Sequence, residues 1–490
     1  MSGTSASVAT PGRDVSRAEL NRWMARRRWA RAGIVYTVML AFAIIFLGPL
    51  LFAAVSSLKT NPLEYPPSLA VPQLSPRNWV NAARLGRLGG GGPILGGFAP
   101  GGEVPFEITY FAPQGTEPAA PEAVVPRRRP GAGLGAVMQI EYAADHAEVS
   151  PVREVARRDG RHVIDVREEG TVNREEVPGT FVTYRFTVSY VGDGPEIDRL
   201  PLDVTNEQTQ RYVSSTITAH RLERRGRVAS FDTVAPGFVG YMLHNYVRVF
   251  REARSVSTGN SLFFSWTLNS GIYAFARIIT NLAFAAMAGY ALARFNFPGK
   301  TAVFMLVLFS QMVPAQVTFI SNYLVIRDGI FGLTKLFGVD SLLNTMAGVI
   351  IGGAGASAMI EASKVFIMKQ FFESIPRQVE EAAMIDGATQ WQRYSRVVLP
   401  MARPALGAVT ILTFQGAWND FFWPFIVLTS PEDIKTLPIG LLSFRQTYGA
   451  AGDWGLILAG AILSAVPIVV IFVVFQRYFL EGVSFGGSKE

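Results

Sequence analysis

Apolar and polar positions follow two rhythms along this chain. Six stretches, at 33–55, 269–293, 302–322, 343–367, 405–428 and 456–476, are apolar and nearly free of charge. An Asp, Lys or Arg at a bilayer centre costs about 2.5–3.5 kcal/mol, so runs of roughly 20 such residues predict membrane-spanning helices. Between the first two runs the rhythm shortens. In FVTYRFTVSY (181–190), Val182, Tyr184, Phe186, Val188 and Tyr190 alternate with polar neighbours, the period of a half-buried strand. VPFEITYF, AVMQIEY, HVIDVRE and RYVSSTITAHRL repeat the pattern between Gly, Pro and Asn breaks. Residues 86–101 and 112–136 are rich in Gly and Pro and read as flexible or extended linkers.

The expected fold is therefore an all-α polytopic membrane protein of six transmembrane helices, carrying an inserted, mainly β domain. Its divisions are a tail (1–30), a first span (31–56), a linker (57–101), the β-rich insert (102–235), a return segment (236–268) and a five-helix core (269–490) containing a polar loop at 374–404. SPRNWVNAARL (75–85) and MLHNYVRVFRE (242–252) share an Asn-aromatic-Val core on either side of the β region. That echo suggests a domain inserted into a short loop, whose task of docking, ligand binding or stiffening stays open.

Charge gives the expected orientation. The net charge is +7, but the basic residues flank spans and do not gather on one amphipathic face, so nucleic acid is not the expected partner. Arg26, Arg27, Arg28 and Arg31 precede the first span, Arg294 and Lys300 lie between the second and third, and Arg477 and Lys489 follow the sixth. The positive-inside rule places the N-terminus in the cytoplasm; six crossings return the C-terminus there and put the β insert outside. No signal peptide is evident in residues 1–30. The absence of cysteine excludes disulfides and thiolate metal sites. The four histidines lack ligand spacing and read as ordinary polar residues.

Polar residues within spans mark function or helix pairing. The fifth run holds Gln415, Asn419 and Asp420 beside Trp418 and Trp423; the third holds Gln311, Pro314 and Gln316. Gln311, Gln316, Gln415, Trp418, Asn419 and Asp420 are candidates for a translocation path, with helix packing as the alternative. Gly348 and Gly352 have the spacing of close helix approach. Glu361 and Lys364, one turn apart, are expected to pair, and Arg277 is expected to snorkel to the outer surface. PGKT (298–301) ends like a phosphate loop, but Arg294 stands where the first glycine belongs and no strand precedes it. ATP hydrolysis is not expected of this chain.

The polar segment between the fourth and fifth runs has helix grammar. Ser374 is a plausible cap, Pro376 suits a first turn, and Glu380, Glu381, Ala382 and Ala383 favour helix. Gly387 permits a sharp stop. A second short helix places Trp391, Tyr394 and Val398 on one face and ends at Leu399-Pro400, giving an elbow beneath the membrane. On physics alone it is either a solvated loop or a docking surface.

EAAMIDGATQWQRYSRVVLP resembles the EAA motif of ABC-importer permease subunits: Glu381, Ala382, Ala383, Gly387, Leu399 and Pro400 match, and Val397 replaces an isoleucine. IPRQVEEAAMIDGA, ARFNFPGK and GAWNDFFWP further resemble the MalG-like branch that imports sugars. The similarity covers about 30–85 and 245–490 and omits the β insert. It implies the type I ABC-importer permease fold and a second permease subunit around a common path. It further implies an extracytoplasmic solute-binding protein and a cytoplasmic ATPase dimer gripping Glu380, Glu381, Ala382, Ala383, Asp386, Gly387, Leu399 and Pro400. No cofactor is expected on this chain; ATP and Mg belong to the ATPase. The expected location is a bacterial or archaeal plasma membrane, surrounded by lipid. The rival reading is a receptor or scaffold whose β domain holds an external partner without transport.

Overall fold

The computed structural model describes residues 17–59, 71–132, 137–168, 171–207, 209–216, 221–222, 227–255, 257–352, 360–450 and 454–484. Helix α1 (Arg17–Leu58) stands as a unit of its own as far as Val55. Its stretch Ala32–Leu58 is long and apolar enough to cross a membrane.

The second unit begins with α2 (Pro76–Leu88) and a β-rich region. Its strands are β1 (Glu103–Pro113), β2 (Glu122–Val124), β3 (Arg128–Ala132), β4 (Val137–Glu141), β5 (Ala147–Val149), β6 (Arg153–Glu168), β7 (Thr171–Tyr190), β8 (Leu202–Thr205), β9 (Arg211–Ser215), β10 (Arg221–Leu222) and β11 (Val228–Phe231). One sheet has the order β5-β7-β1-β9 with β6 also on β7; a second runs β10-β11-β8-β2; β3 and β4 form a ribbon. The period-2 pattern explains the core. Val104, Phe106, Ile108 and Tyr110 of β1 are buried, and the antiparallel register sets them opposite Val188, Phe186, Tyr184 and Val182 of β7. The Phe106 and Phe186 rings stack at 5.8 Å. Leu202 and Val204, Ala229 and Phe231, and Leu85 of α2 complete this core. Before Gly179, the strand β7 pairs with β6 and not with β1, as a two-stranded arm.

The Gly-rich linkers depart from expectation. Residues 86–101 are a hydrogen-bonded knot: Gly89 N–H reaches Leu85 O, Ala99 N–H reaches Gly89 O, and Gly97 N–H reaches Ala235 O at 2.9 Å. Glycine here lets backbones close on one another, so composition that suggests slack builds a tight crossing. In 112–136, strands β2 and β3 form within the segment; residues 133–136 lie outside the described residues.

The Asn-aromatic echo has a common geometry. Asn78 donates to Pro72 O and to the Tyr241 hydroxyl, and the neighbouring Trp79 Nε1 donates to Gln73 O. Asn245 donates to Ser57 O and Lys59 O, and the neighbouring Tyr246 hydroxyl bonds Ser57 Oγ. Each pair ties its helix by side-chain bonds to backbone carbonyls of residues 57–73. The two helices after the β region are α3 (Gly237–Met242), which packs on α2, and α4 (His244–Glu252).

The helical core is built around α5 (Leu262–Arg294), whose 33 residues span about 50 Å at 1.5 Å each. Then come α6 (Lys300–Ser310), α7 (Ala315–Arg327), α8 (Met346–Gly352), α9 (Ala362–Ser374) and α10 (Arg377–Ile385). They are followed by α11 (Gln390–Gln392), a π-helical turn (Arg393–Val398), α12 (Leu399–Met401), α13 (Arg403–Trp418), α14 (Phe422–Val427), α15 (Leu437–Ala450) and α16 (Trp454–Ser484). Ala285, Ala286 and Ala293 of α5 lie in one cluster with Val365, Met368 and Phe372 of α9. Small side chains admit that close approach.

Among the described residues three helices are long and apolar enough to cross a membrane, Ala32–Leu58, Leu262–Arg294 and Trp454–Gln476. A pair bent by 75°, Gln390–Met401 with Arg403–Val427, makes a fourth if taken as one span. The other expected spans are in pieces. The third breaks between α6 and α7, where Pro314 supplies no N–H to continue the ladder. The fourth is divided into α8 and α9, with residues 353–359 outside the described residues. The fifth stops at Trp418 and resumes at Phe422. Gly352 serves close packing as its spacing suggests: a Cβ there would lie 2.6 Å from the Trp423 ring.

Candidate functional site

Two places in the helical core concentrate polar side chains. At the first, the elbow, α9 ends at Ser374 and Pro376 occupies the N-cap of α10. Ser374 is not the cap; its hydroxyl donates back to Phe371 O at 2.7 Å. Helix α10 stops because Gly387 adopts φ +82°, the left-handed region open to glycine. There Gly387 N–H bonds Met384 O and Ala388 N–H bonds Ala383 O, closing the last carbonyls. Thr389 then restarts the chain with a capping box: its hydroxyl accepts from Gln392 N–H, and the Gln392 side chain accepts from Thr389 N–H at 2.8 Å. The following π-helical turn absorbs the approach to Pro400, which offers no amide hydrogen.

The elbow has two unlike faces. Glu380 is buried, ion-paired with Arg294 at 2.6 Å and accepting from the Tyr290 hydroxyl at 2.9 Å. Arg294 also donates to Ile375 O at 2.8 Å. Tyr290 packs on Phe372 and Tyr394, with ring centroids 5.8 and 5.0 Å away. Glu380 thus bolts the elbow to the end of α5 and is not on its outer face. Glu381, Ala382, Asp386 and Gly387 are exposed, while Ala383, Leu399 and Pro400 are half-buried. Between the exposed polar residues, Met384 is 55%, Ile385 84% and Trp391 64% exposed. Trp391 touches the Tyr394 ring but parts from Tyr394 and Val398, which are buried. Sequence reading missed Met384 and Ile385, two large apolar side chains inside an otherwise polar loop, and the Thr389–Gln392 box, legible as T-x-x-Q.

The second place lies within the spans. Arg277, the sixteenth residue of α5, does not snorkel. It is mostly buried, donates to Glu361 at 2.6 Å and to the Tyr273 hydroxyl at 2.7 Å, and sits 3.8 Å from Asp420. Tyr273 donates to Asp420 at 2.7 Å. Glu361, just before α9, also meets Lys364, and its N–H donates to Asn281 Oδ1 at 2.9 Å. The length of α5 explains the difference. Counted from Leu262, Arg277 is about 22 Å along the helix, where Glu361 and Asp420 meet its guanidinium. Two acids balance two bases, which a desolvated cluster requires.

The path candidates divide. Trp418 is buried and donates to Ser464 O of α16 at 3.0 Å, a contact between helices. Asp420 is held by Tyr273 and faces Arg277. Asn419 and Gln415 are exposed and Asn419 donates to Gln415 O at 3.1 Å; Gln311 is exposed at the end of α6. The side chain of Gln316 lies outside the described residues. Among the described residues no group of acids and histidines is arranged to hold a metal ion.

Comparison with known proteins gives these features a context. Residues 282–484 match the family described as binding-protein-dependent transport system inner membrane component. The arabinooligosaccharides transport system permease protein AraQ of Halalkalibacterium halodurans is 34% identical over 247 residues, 50% of this chain and 79% of that protein. The AraQ of Bacillus subtilis is also 34% identical, over 47% of this chain and 75% of that protein. The B. subtilis maltodextrin transport system permease protein MdxG is 29% identical over 56% of this chain and 89% of its own length. With its elbow, its helical core and these relatives, the chain belongs to the binding-protein-dependent inner membrane components and is a permease subunit of an ABC importer.

Proposed function

We propose that this subunit forms, with a second homologous permease, the path for a sugar or oligosaccharide delivered by an extracytoplasmic binding protein. A cytoplasmic ATPase dimer, using ATP and Mg, drives it through the elbow. The observation that carries the reading is the elbow's division of labour. Glu380 fixes the inner face to Arg294 of α5, while Glu381, Asp386, Met384, Ile385 and Trp391 stand outward. Apolar residues ringed by charge, presented on a rigid turn, suit a protein partner. Movement of that partner would be passed through the Glu380–Arg294 pair to the longest helix of the core.

The charge bias of the flanks supports cytoplasmic termini, with the elbow inside and the β region outside. Six crossings follow if the interrupted stretches traverse the bilayer in two pieces, with irregular backbone buried among helices. Exposed Gln311, Gln415 and Asn419 are the side chains offered to sugar hydroxyls. The β region contacts the binding protein or the partner permease. Gly387→Pro, which forbids the observed φ, and Glu381→Arg should each abolish co-purification with the ATPase subunit and stop uptake. Unchanged assembly and transport in both variants would sink the coupling role. Deletion of 102–235 should lower uptake at low substrate more than at high substrate; full uptake at low substrate would remove that role for the β region.

A further inference from the structure

Between α7 and α8 the chain runs DGIFGLTKLFGVDSLLN (328–344). Four large apolar side chains point away from the protein: Phe331 is 84% exposed, Leu333 58%, Leu336 80% and Phe337 85%. The segment is nevertheless tightly built. Ile330 N–H bonds Val325 O at 2.7 Å, Thr334 N–H bonds Gly329 O at 3.1 Å, and Val339 N–H bonds Thr334 O at 3.1 Å. The Thr334 hydroxyl turns inward to Val339 O at 2.8 Å. At the base, Leu342 N–H bonds Ile326 O, and both side chains are buried. Ile330 and Phe331 have φ of 46° and 57°, a region costly for such residues. The fold holds a strained backbone and directs grease outward.

Position along the core identifies what meets that grease. Helices α6 and α7 have 11 and 13 residues, so end to end they cover about 36 Å against a hydrocarbon thickness of about 30 Å. Leu306, Phe309, Met312, Val317 and Ile320 are exposed along them and make an apolar belt. The belt ends at Arg327 and Asp328, an exposed charged pair at 2.8 Å of the kind that stays outside the hydrocarbon. The apolar loop follows at once. We propose that residues 329–339 form an interfacial anchor, laying Phe331, Leu333, Leu336 and Phe337 into the outer leaflet with Lys335 at the level of the lipid phosphates. The outer-leaflet assignment rests on the orientation proposed above.

The internally closed backbone favours lipid, because a segment entering the acyl boundary must satisfy its own N–H and C=O groups. A protein partner is expected to meet a polar rim around an apolar centre. Here the one hydroxyl within 329–339 is spent inside the loop, and Lys335 is the one charge. Apolar side chains with a basic residue beside them are the composition of interfacial segments.

The chain has no cysteine, so single-cysteine variants carry a unique label. Phe337→Cys and Asp340→Cys are labelled with an environment-sensitive fluorophore. The full chain is reconstituted with its partner subunits in phosphatidylethanolamine–phosphatidylglycerol vesicles. A nitroxide high on the acyl chain should quench the Phe337→Cys probe at least about twofold more than one at the chain end, as shallow insertion requires. Iodide should quench the Asp340→Cys probe far more strongly. Equal iodide quenching at both positions overturns the anchor. So does lipid-independent protection of Phe337→Cys that requires the second permease subunit, which would mark a protein contact. In intact cells a membrane-impermeant maleimide should reach Asp340→Cys from outside. Labelling only in inverted vesicles overturns the orientation and the outer leaflet with it, while the quenching depth reports separately on insertion.

Discussion

The β region and the helical core solve the same burial problem with opposite materials. In the β region apolar alternation fills the inside, with Phe106 against Phe186, and the Arg185–Glu107 pair lies on the exposed surface, while among its described acids Asp232 alone is buried, against His244 and Arg199. In the core the apolar residues cover the outside, while Arg277, Glu361, Lys364 and Asp420 are drawn together between helices. An identical chemical pair, guanidinium and carboxylate, therefore has different weight in the two places. Exposed, it is screened by water and worth at most about 1 kcal/mol; desolvated, the loss of one partner strands the other.

That contrast orders the consequences of mutation. Arg277→Met should be the most damaging, lowering stability by about 3–5 kcal/mol because Glu361 and Asp420 lose their counter-charge. The measurement is the thermal midpoint of the detergent-solubilised complex, and adding Glu361→Gln should restore part of the loss. An unchanged midpoint would erase the distinction between the regions. Phe106→Ala should cost about 3 kcal/mol through the cavity it leaves. The loss should show as new protease cleavage within 102–235 while the helical core stays intact. Gly387→Ala forces an L side chain into the left-handed region, at about 1–2 kcal/mol; faster hydrogen exchange confined to 382–388 should report it. Glu107→Gln should change stability by less than about 1 kcal/mol despite the 2.9 Å contact to Arg185. A larger effect there would show that the exposed pair is more than surface decoration.

How far these features are legible in the sequence depends on the range of the interactions behind them. The strand rhythm of 181–190 is local, and Val182, Tyr184, Phe186 and Val188 are buried as it suggests. The elbow is also local: Pro376, Gly387 and the T-x-x-Q box state its boundaries. The failures involve distance along the chain. Nothing near Arg277 announces Glu361 or Asp420, which come from elements far downstream, so an isolated arginine reads as a snorkelling one. Glu380 and Glu381 are neighbours with equal helix propensity. Only the packing of Arg294 and Tyr290 against one of them separates anchor from outer face. Interruptions within apolar runs are similarly hidden, because hydropathy sums over a window and does not register that Asn419–Phe421 breaks a helix.

The bond from Gly97 N–H to Ala235 O bears on how such a protein is rearranged. The two strands of chain that lead into and out of the β region run side by side, so the region's two ends leave the core together. A foreign domain whose own termini lie close together matches that spacing, provided it also covers Leu85 and Tyr241, which pack on the β region. The crossing is a port for a fluorescent reporter or an affinity module.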